Sequence, residues 1–289
     1  MSERLSMTDN WELLQRLDKD LRAAAKLLGR REARALTGLY YQIQEFRKIS
    51  GNQHLAAKAG EPNAVASWVH KNMTAIENDI RRALDEFSSS YSVGQWMKSL
   101  TGIGAVIGAG MLAHIDISKS PTAGHIWRFA GYDPTVKWEK KQKRPWNADL
   151  KCLCFKLGDC FVKFSNHENQ YYGTIYNNRK QYETARNDRF EYSDQAEHLL
   201  ATKNFVKDTE ARKWYEKGQL PPGHLHMRAL RYASKMFLSH LHHVMHCDFY
   251  GREPPTPFAL ENCAGHTHFV PVPNWPFTGT GKRLVDMRE

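Results

Sequence analysis

The sequence predicts a mainly α-helical protein in three parts: a helical hairpin or coiled-coil arm over residues 1–92, a helical domain over 93–247, and an extended, proline-rich tail over 248–289. Three observations predict it. Apolar residues recur at intervals of three, four and seven across the first ninety positions and again after Pro222, which puts them on one side of a helix. Strand-like alternation is scarce, and no internal repeat is visible. Beyond Phe249 the periodicity stops and six of the twelve prolines follow, a composition suited to extended chain lying over a body.

In the arm, Trp11, Leu14, Leu17, Leu21 and Leu28 predict a first helix. A second carries Leu36, Leu39, Tyr40, Ile43 and Phe46. Gly51, Gly60 and Pro62 mark a linker, and Val65, Trp68 or Val69, Met73, Ile76, Ile80 and Phe87 form the stripe of a third. Such an arm either packs on its own body or pairs with a second copy, so a homodimer through the N-terminal helices is expected. Residues 166–219 are polar and read as mostly helical with loops, with a stripe through Tyr171, Ile175, Arg179 and Tyr182. After Pro221 and Pro222 comes a long amphipathic helix. Leu225, Ala229, Ala233, Met236, Phe237, Leu241 and Val244 line one side of it, and Arg228, Arg231 and Lys235 line the other.

With 289 residues, 41% of them apolar, the chain has material for one large domain or two modest ones. Lys and Arg number 41 against 31 Asp and Glu, a formal charge of +10 that favours an acidic partner, nucleic acid first. The N-terminus lacks the apolar run of a signal peptide, and Gly102–Ile115 falls short of the ~20 residues of a membrane span. Five cysteines, three of them close together as Cys152, Cys154 and Cys160, fit a reducing compartment, and a cytoplasmic protein with no membrane association is expected.

The stretch "SLTGIGAVIGAGMLAHI", Ser99–Ile115, has the form of a helix-hairpin-helix. A short helix around "SVGQWMKSL" stops at Gly102-Ile103-Gly104 and a second begins at once. Glycines permit positive φ and leave no side chain between backbone and ligand, so the first N–H groups of the second helix, helped by its dipole, can seat a phosphate oxygen. Ile103 is expected to pin the hairpin, with Lys98 and Lys119 nearby. The alternative is a glycine-rich helix packed tightly on another, which is the role expected of Gly108 and Gly110. Behind the hairpin, Lys137, Lys140, Lys141, Lys143, Arg144, Lys151 and Lys156 stand against only Glu139 and Asp149, with Trp138 and Trp146 interleaved. Charges for phosphates beside flat rings for bases or sugars predict nucleic-acid contact, with DNA expected and RNA possible.

"LTGIGAVIGAGMLAHIDISKSPTAGHIWRFAGYDP", Leu100–Pro134, resembles the C-terminal transposase domain of the DEDD-type, Piv/MooV-like bacterial insertion-sequence transposases. Ile115, Asp116, Ser118, Phe129, Ala130, Gly131, Asp133 and Pro134 fit that block in order, with weaker echoes in "NADLKCLCFKLGDCFVKF" and "HMRALRYASKMFLSHLHHVM". The resemblance implies the DNA-handling half of a recombinase. The family's RuvC-like nuclease domain has no counterpart in the helical stretch ahead of Leu100, and where the family keeps a nucleophilic serine this chain reads "WEK", Trp138–Lys140, with Thr135 the nearest hydroxyl. The resemblance therefore implies a DNA-binding protein with neither catalytic centre. An active recombinase with a diverged nucleophile or a separate nuclease subunit is one alternative, and a helical assembly protein without nucleic-acid ligand is the other.

Further chemistry is weaker. His240, His242, His243, His246, Cys247, Cys263, His266 and His268 cluster near the C-terminus, and His242 with His246 and Cys263 with His266 have ligand-like spacing. A proline-rich stretch separates the pairs, so hydrogen-bonded histidines and no metal or cofactor are expected. Asp116, Asp133, Asp149 and Asp159 show no convergent pattern, Asp133 before Pro134 reading as a turn former. No Gly-Lys-Ser/Thr follows the glycines, which argues against a nucleotide-cradling loop.

Overall fold

The computed structural model describes residues 17–56, 64–205, 209–256 and 269–289. Helix takes up 68% of the described residues, which hold no strand, only an isolated bridge between Tyr91 and Lys282, so the fold is mainly helical. Eleven α-helices follow one another among them: α1 Lys19–Ala25, α2 Arg30–Ala56, α3 Ala64–Ser89, α4 Ser92–Lys98, α5 Ala105–His114, α6 Ala123–Phe129, α7 Ala148–Lys163, α8 Tyr171–Asp188, α9 Ser193–Thr202, α10 Glu210–Glu216 and α11 Pro222–Tyr250. No described helix is long and apolar enough to cross a membrane. The chain forms two compact units, one of residues 1–98, 104–116 and 278–289, the other of 99–103 and 117–277.

In the first unit α2 and α3 pack along each other and α5 packs on both. Every residue of α5 from Val106 to His114 is buried, which explains a sequence apolar on all sides. Its C-terminal carbonyls would be orphaned in that setting. Arg30 donates to the carbonyls of Leu112 and Ile115, and Arg34 donates to Ala113 O at 2.9 Å, placing positive charge where the helix dipole is negative. On α2 the buried line runs through Ala33, Thr37 and Tyr40, while Leu39 and Phe46 are exposed. The expected stripe through Leu36, Leu39, Tyr40, Ile43 and Phe46 is thus rotated, because a polar group took the core: Glu77 of α3 is buried and accepts from Tyr40, Gln44 and Arg47.

Trp11 and Leu14 of the expected first helix lie outside the described residues. Gly94 permits the α3–α4 corner, since a Cβ there would sit 1.9 Å from Ser88 O. At Gly108 a Cβ would only reach ordinary contact with Ser88 and Met97, at 3.9 and 4.0 Å, so the close packing expected of Gly108 is not required there. The C-terminal segment is pinned by Lys282 N donating to Ser90 O at 2.7 Å and Ser92 N donating to Lys282 O at 3.1 Å.

The second unit is built on α11, which packs against α6, α7 and α8. Pro222 in its first turn and left-handed Gly251 (φ 68°) beyond its last fit the preferences of helix ends. Phe161 stacks on Tyr172 with ring centroids 4.7 Å apart, and both meet Phe237. Gly158 lets α7 approach α11, since a Cβ would lie 2.6 Å from Leu230 Cδ2.

On α8 the buried positions are Tyr172, Gly173, Tyr176, Glu183 and Asn187, one residue off the expected stripe through Tyr171, Ile175, Arg179 and Tyr182. Two polar residues occupy that inner face because each is satisfied there. Glu183 accepts from Tyr192, Arg179 (2.7 Å) and Arg228 (2.7 Å), and Asn187 exchanges two hydrogen bonds with the backbone of Leu220.

Candidate nucleic-acid interface

Between α4 and α5 the chain turns at the glycines. Gly102 has φ +91°, a conformation that a side chain strains, and Gln170 Nε2 and Phe164 Cδ2 would lie 3.1 and 3.3 Å from an added Cβ. Gln170 Nε2 also donates to Thr101 O at 3.0 Å. Ile103 is 5% exposed and points inward, so it supports the hairpin and does not face a ligand. Gly104 is different. It is exposed, it is the N-cap of α5 with no side-chain cap, and nothing lies within 4 Å of where its Cβ would be. The first N–H groups of α5 therefore start from open backbone, the arrangement that binds an anion.

Lys98 does not extend that seat: its ammonium is held by Asp85 and by Ser89 Oγ at 2.7 Å. Lys119 is exposed on the short 3-10 turn Ile117–Lys119 of the second unit.

The larger cationic feature lies wholly in the second unit. Gly131 follows α6 with φ +70°, and a Cβ there would meet Trp146 Cγ at 2.8 Å and Lys151 Cδ at 3.0 Å. Trp146 thus lies directly against the backbone of "AGYDP". Asp133 makes the turn that follows, its Oδ1 accepting from Thr135 N at 2.9 Å and from Thr135 Oγ1 at 2.7 Å. Thr135 is thus a turn partner, its hydroxyl donating to the Asp133 carboxylate. Asn147 N donates to Phe129 O at 2.9 Å and closes the base of the loop, while the Asn147 side chain caps α7 by accepting from Leu150 N at 2.9 Å.

Within the loop, Lys141 turns the chain at φ 75° and Trp138 Nε1 donates to Gln142 O at 2.8 Å. Arg144 lies over Trp138, 5.3 Å from the ring centroid, and Lys151 Nζ stands 4.0 Å above Trp146. The two rings meet edge to face at 6.4 Å. Trp138 is 41% exposed and keeps a surface for stacking, whereas Trp146 is enclosed by Gly131 and Lys151 and serves the loop itself.

Burial, and then the neighbouring charges of Arg231 and Arg144, hold the Lys151 ammonium below the usual lysine range. Three cations from the loop, α7 and α11 are therefore gathered at one place. Among the described residues no carboxylate pairs with Lys137, Lys140, Lys141, Lys143, Arg144, Lys151 or Arg231, although carboxylates close on Lys26, Arg47, Arg82, Lys163 and Arg228.

The remaining expected contacts go elsewhere. Arg228 is bound by Glu183, by Gln195 at 3.2 Å and by the Tyr192 ring, so it belongs to the interior network. Lys235 is half-buried over Trp127, 4.0 Å from its centroid, and Trp127 Nε1 donates to Lys235 O, which fastens α6 to α11. Arg128 is exposed in the last turn of α6, and sequence reasoning passed over it because it stands apart from the lysine block. Lys151 was counted in that block, but only the fold brings it to Arg231.

The histidines are mostly structural. His240 joins Tyr172 OH (2.8 Å) to Val270 O (3.0 Å), His242 Nε2 meets Ser120 O at 2.9 Å, and His246 Nδ1 meets Arg252 O at 3.0 Å. Burial pulls His240 and His242 down to about 4, so both are neutral at ordinary pH. His242 Nε2 and His246 Nδ1, whose spacing is ligand-like, each meet a backbone carbonyl. Cys263, His266 and His268 lie outside the described residues. The four described cysteines are free thiols. Comparison of the chain with protein-family models, with curated proteins and with solved structures gives no match.

Proposed function

We propose that this protein binds DNA through its phosphate backbone, using the cationic face that Arg144, Lys151 and Arg231 form on the second unit. Lys137, Lys140, Lys141 and Lys143 extend that face along the loop, and the exposed ring of Trp138 offers a stacking surface for an unpaired base. The single observation that carries the reading is the gathering of Arg144 and Lys151 on the edge-to-face Trp138–Trp146 pair, with no carboxylate paired to either among the described residues. Such a cluster costs free energy in the isolated protein and is neutralised by a polyanion. Phosphate contacts of this kind give affinity and placement without reading sequence.

The uncapped start of α5 at Gly104 adds a backbone seat for a phosphate. The relation to insertion-sequence transposases rests on Leu100–Pro134, and the chain is a diverged relative in which lysines stand where the family has its serine. The exposed apolar residues Phe46, Ile49 and Leu55 of α2 and Val65 and Trp68 of α3 supply the surface for the homodimer, since Leu55 is 82% exposed and Phe46 60%.

Fluorescence anisotropy with duplex, single-stranded and branched DNA across a salt series tests the reading. Affinity is expected to fall steeply with salt, and replacing Lys140, Lys141, Lys143 and Arg144 together by Ala is expected to weaken all sequences alike. Binding no stronger than to a neutral polymer at low salt would overturn it. Metal-dependent nicking of supercoiled plasmid by the protein alone would favour the recombinase alternative instead.

A further inference from the structure

Past the last turn of α11 the chain reverses on itself. Gly251 adopts φ 68° with its N–H on Cys247 O at 2.9 Å, and His246 Nδ1 meets Arg252 O at 3.0 Å. This turn brings Glu253 back over the helix, beside His243 and Cys247, which share a helix face because they are four residues apart. One ligand atom from each of His243, Cys247 and Glu253 lies within 4.8 Å of the others. We infer that His243 Nε2, Cys247 Sγ and a Glu253 carboxylate oxygen form a binding site for a divalent transition-metal ion of the zinc class.

Four observations support it. The donor set of imidazole, thiolate and carboxylate is the one a tetrahedral Zn2+ takes, and three protein ligands leave a fourth position for water. His243 Nε2 is shielded from solvent and lies 2.9 Å from Glu253 Oε2, yet it makes no well-directed hydrogen bond there, so the two atoms converge as ligands rather than as a bonded pair. The Trp275 ring stands edge-on to the His243 imidazole at 5.6 Å and limits its rotation. The exposed Glu253 side chain leaves a path from solvent. On binding, the Cys247 thiol gives its proton to solvent and its sulfur lone pair to the metal. The site is separate from the cationic face and does not depend on DNA binding.

The test uses tag-free, full-length protein stripped with chelator, then titrated with zinc and with cobalt(II). One metal per chain is expected, with a thiolate-to-cobalt charge-transfer band and a rise in the midpoint of thermal unfolding. His243→Ala, Cys247→Ser and Glu253→Gln are each expected to weaken zinc binding about tenfold or more, and Cys247→Ser to abolish the charge-transfer band. Cys152→Ser, an exposed thiol elsewhere, is expected to leave both unchanged. Glu253→Gln is a surface change that cannot unfold the chain, so its result stands whatever the others do to stability. No stoichiometric metal in the unsubstituted protein, or zinc retained at full affinity by Glu253→Gln and His243→Ala, would overturn the inference.

Discussion

Arg228 and Arg231 stand three residues apart on α11 and look alike in the sequence, yet they belong to opposite kinds of surface. Arg228 reaches the buried carboxylate of Glu183, shares it with Arg179 and Tyr192, and lies over the Tyr192 ring. Arg231 is exposed, has no carboxylate among the described residues, and stands near enough to Lys151 to disfavour its charge. The first arginine is consumed by folding and the second is left over. What separates them is the position of one acid, 45 residues earlier in the chain. A cation whose partner is another side chain stabilises the fold, and a cation gathered with its like is the kind that the proposed DNA binding would use.

Removing the acid gives the sharpest test of that contrast. Glu183→Ala leaves two guanidinium groups and a buried hydroxyl without their acceptor, and is expected to cost about 3–5 kcal/mol in urea unfolding. Arg231→Ala is expected to change stability by less than about 0.5 kcal/mol, as surface changes do. Equal losses from the two would break the comparison. On DNA the order reverses. Arg231→Ala is expected to weaken binding a few-fold on every sequence and to reduce the salt slope by about one, whereas Lys98→Ala, whose ammonium Asp85 already holds, is expected to leave binding unchanged by anisotropy.

The glycines allow a similar contrast. Gly102→Ala places a side chain at φ +91° against Gln170 and Phe164, and is expected to cost about 1–2 kcal/mol, while Gly108→Ala meets only ordinary contacts and is expected to be neutral or mildly stabilising through helix propensity. Chemical denaturation of the two variants checks the difference.

The dependence on pH sharpens the contrast between buried and exposed ionisable groups. The folded pKa of His240 is held at about 4 by burial against an ordinary 6.5, so its contribution is complete above pH 6.5 and is lost as pH falls toward 4. Burial alone would raise the Glu183 carboxyl, but hydrogen bonds from Tyr192 and Arg228 outweigh it, and its pKa lies below the ordinary 4.5. Its contribution therefore persists through that window and is lost only below about pH 4.5. Urea midpoints from pH 7 to 3.5 are expected to decline in two stages, and Glu183→Gln is expected to reduce the lower one, to which Glu77 also contributes.

The helices, the turn at Gly102 and the exposed loop of lysines were legible in the sequence because each is set by neighbours in the chain: apolar spacing, a residue free to adopt positive φ, and a run of charge too dense to bury. Pro222 and Gly251 marked the ends of α11 for the same reason. The inner faces of α2 and α8 were misplaced because buried acids, Glu77 and Glu183, sit where apolar periodicity assumes none.

Lys98, Arg228 and Lys235 read as ligand-facing because their partners, Asp85, Glu183 and Trp127, lie elsewhere in the chain. The sequence by itself determined a helical protein with a surplus of positive charge and a glycine turn ahead of α5. Only the tertiary structure decided which of those charges remain unneutralised, because whether an ion is paired depends on which side chains folding brings within a few ångströms of it.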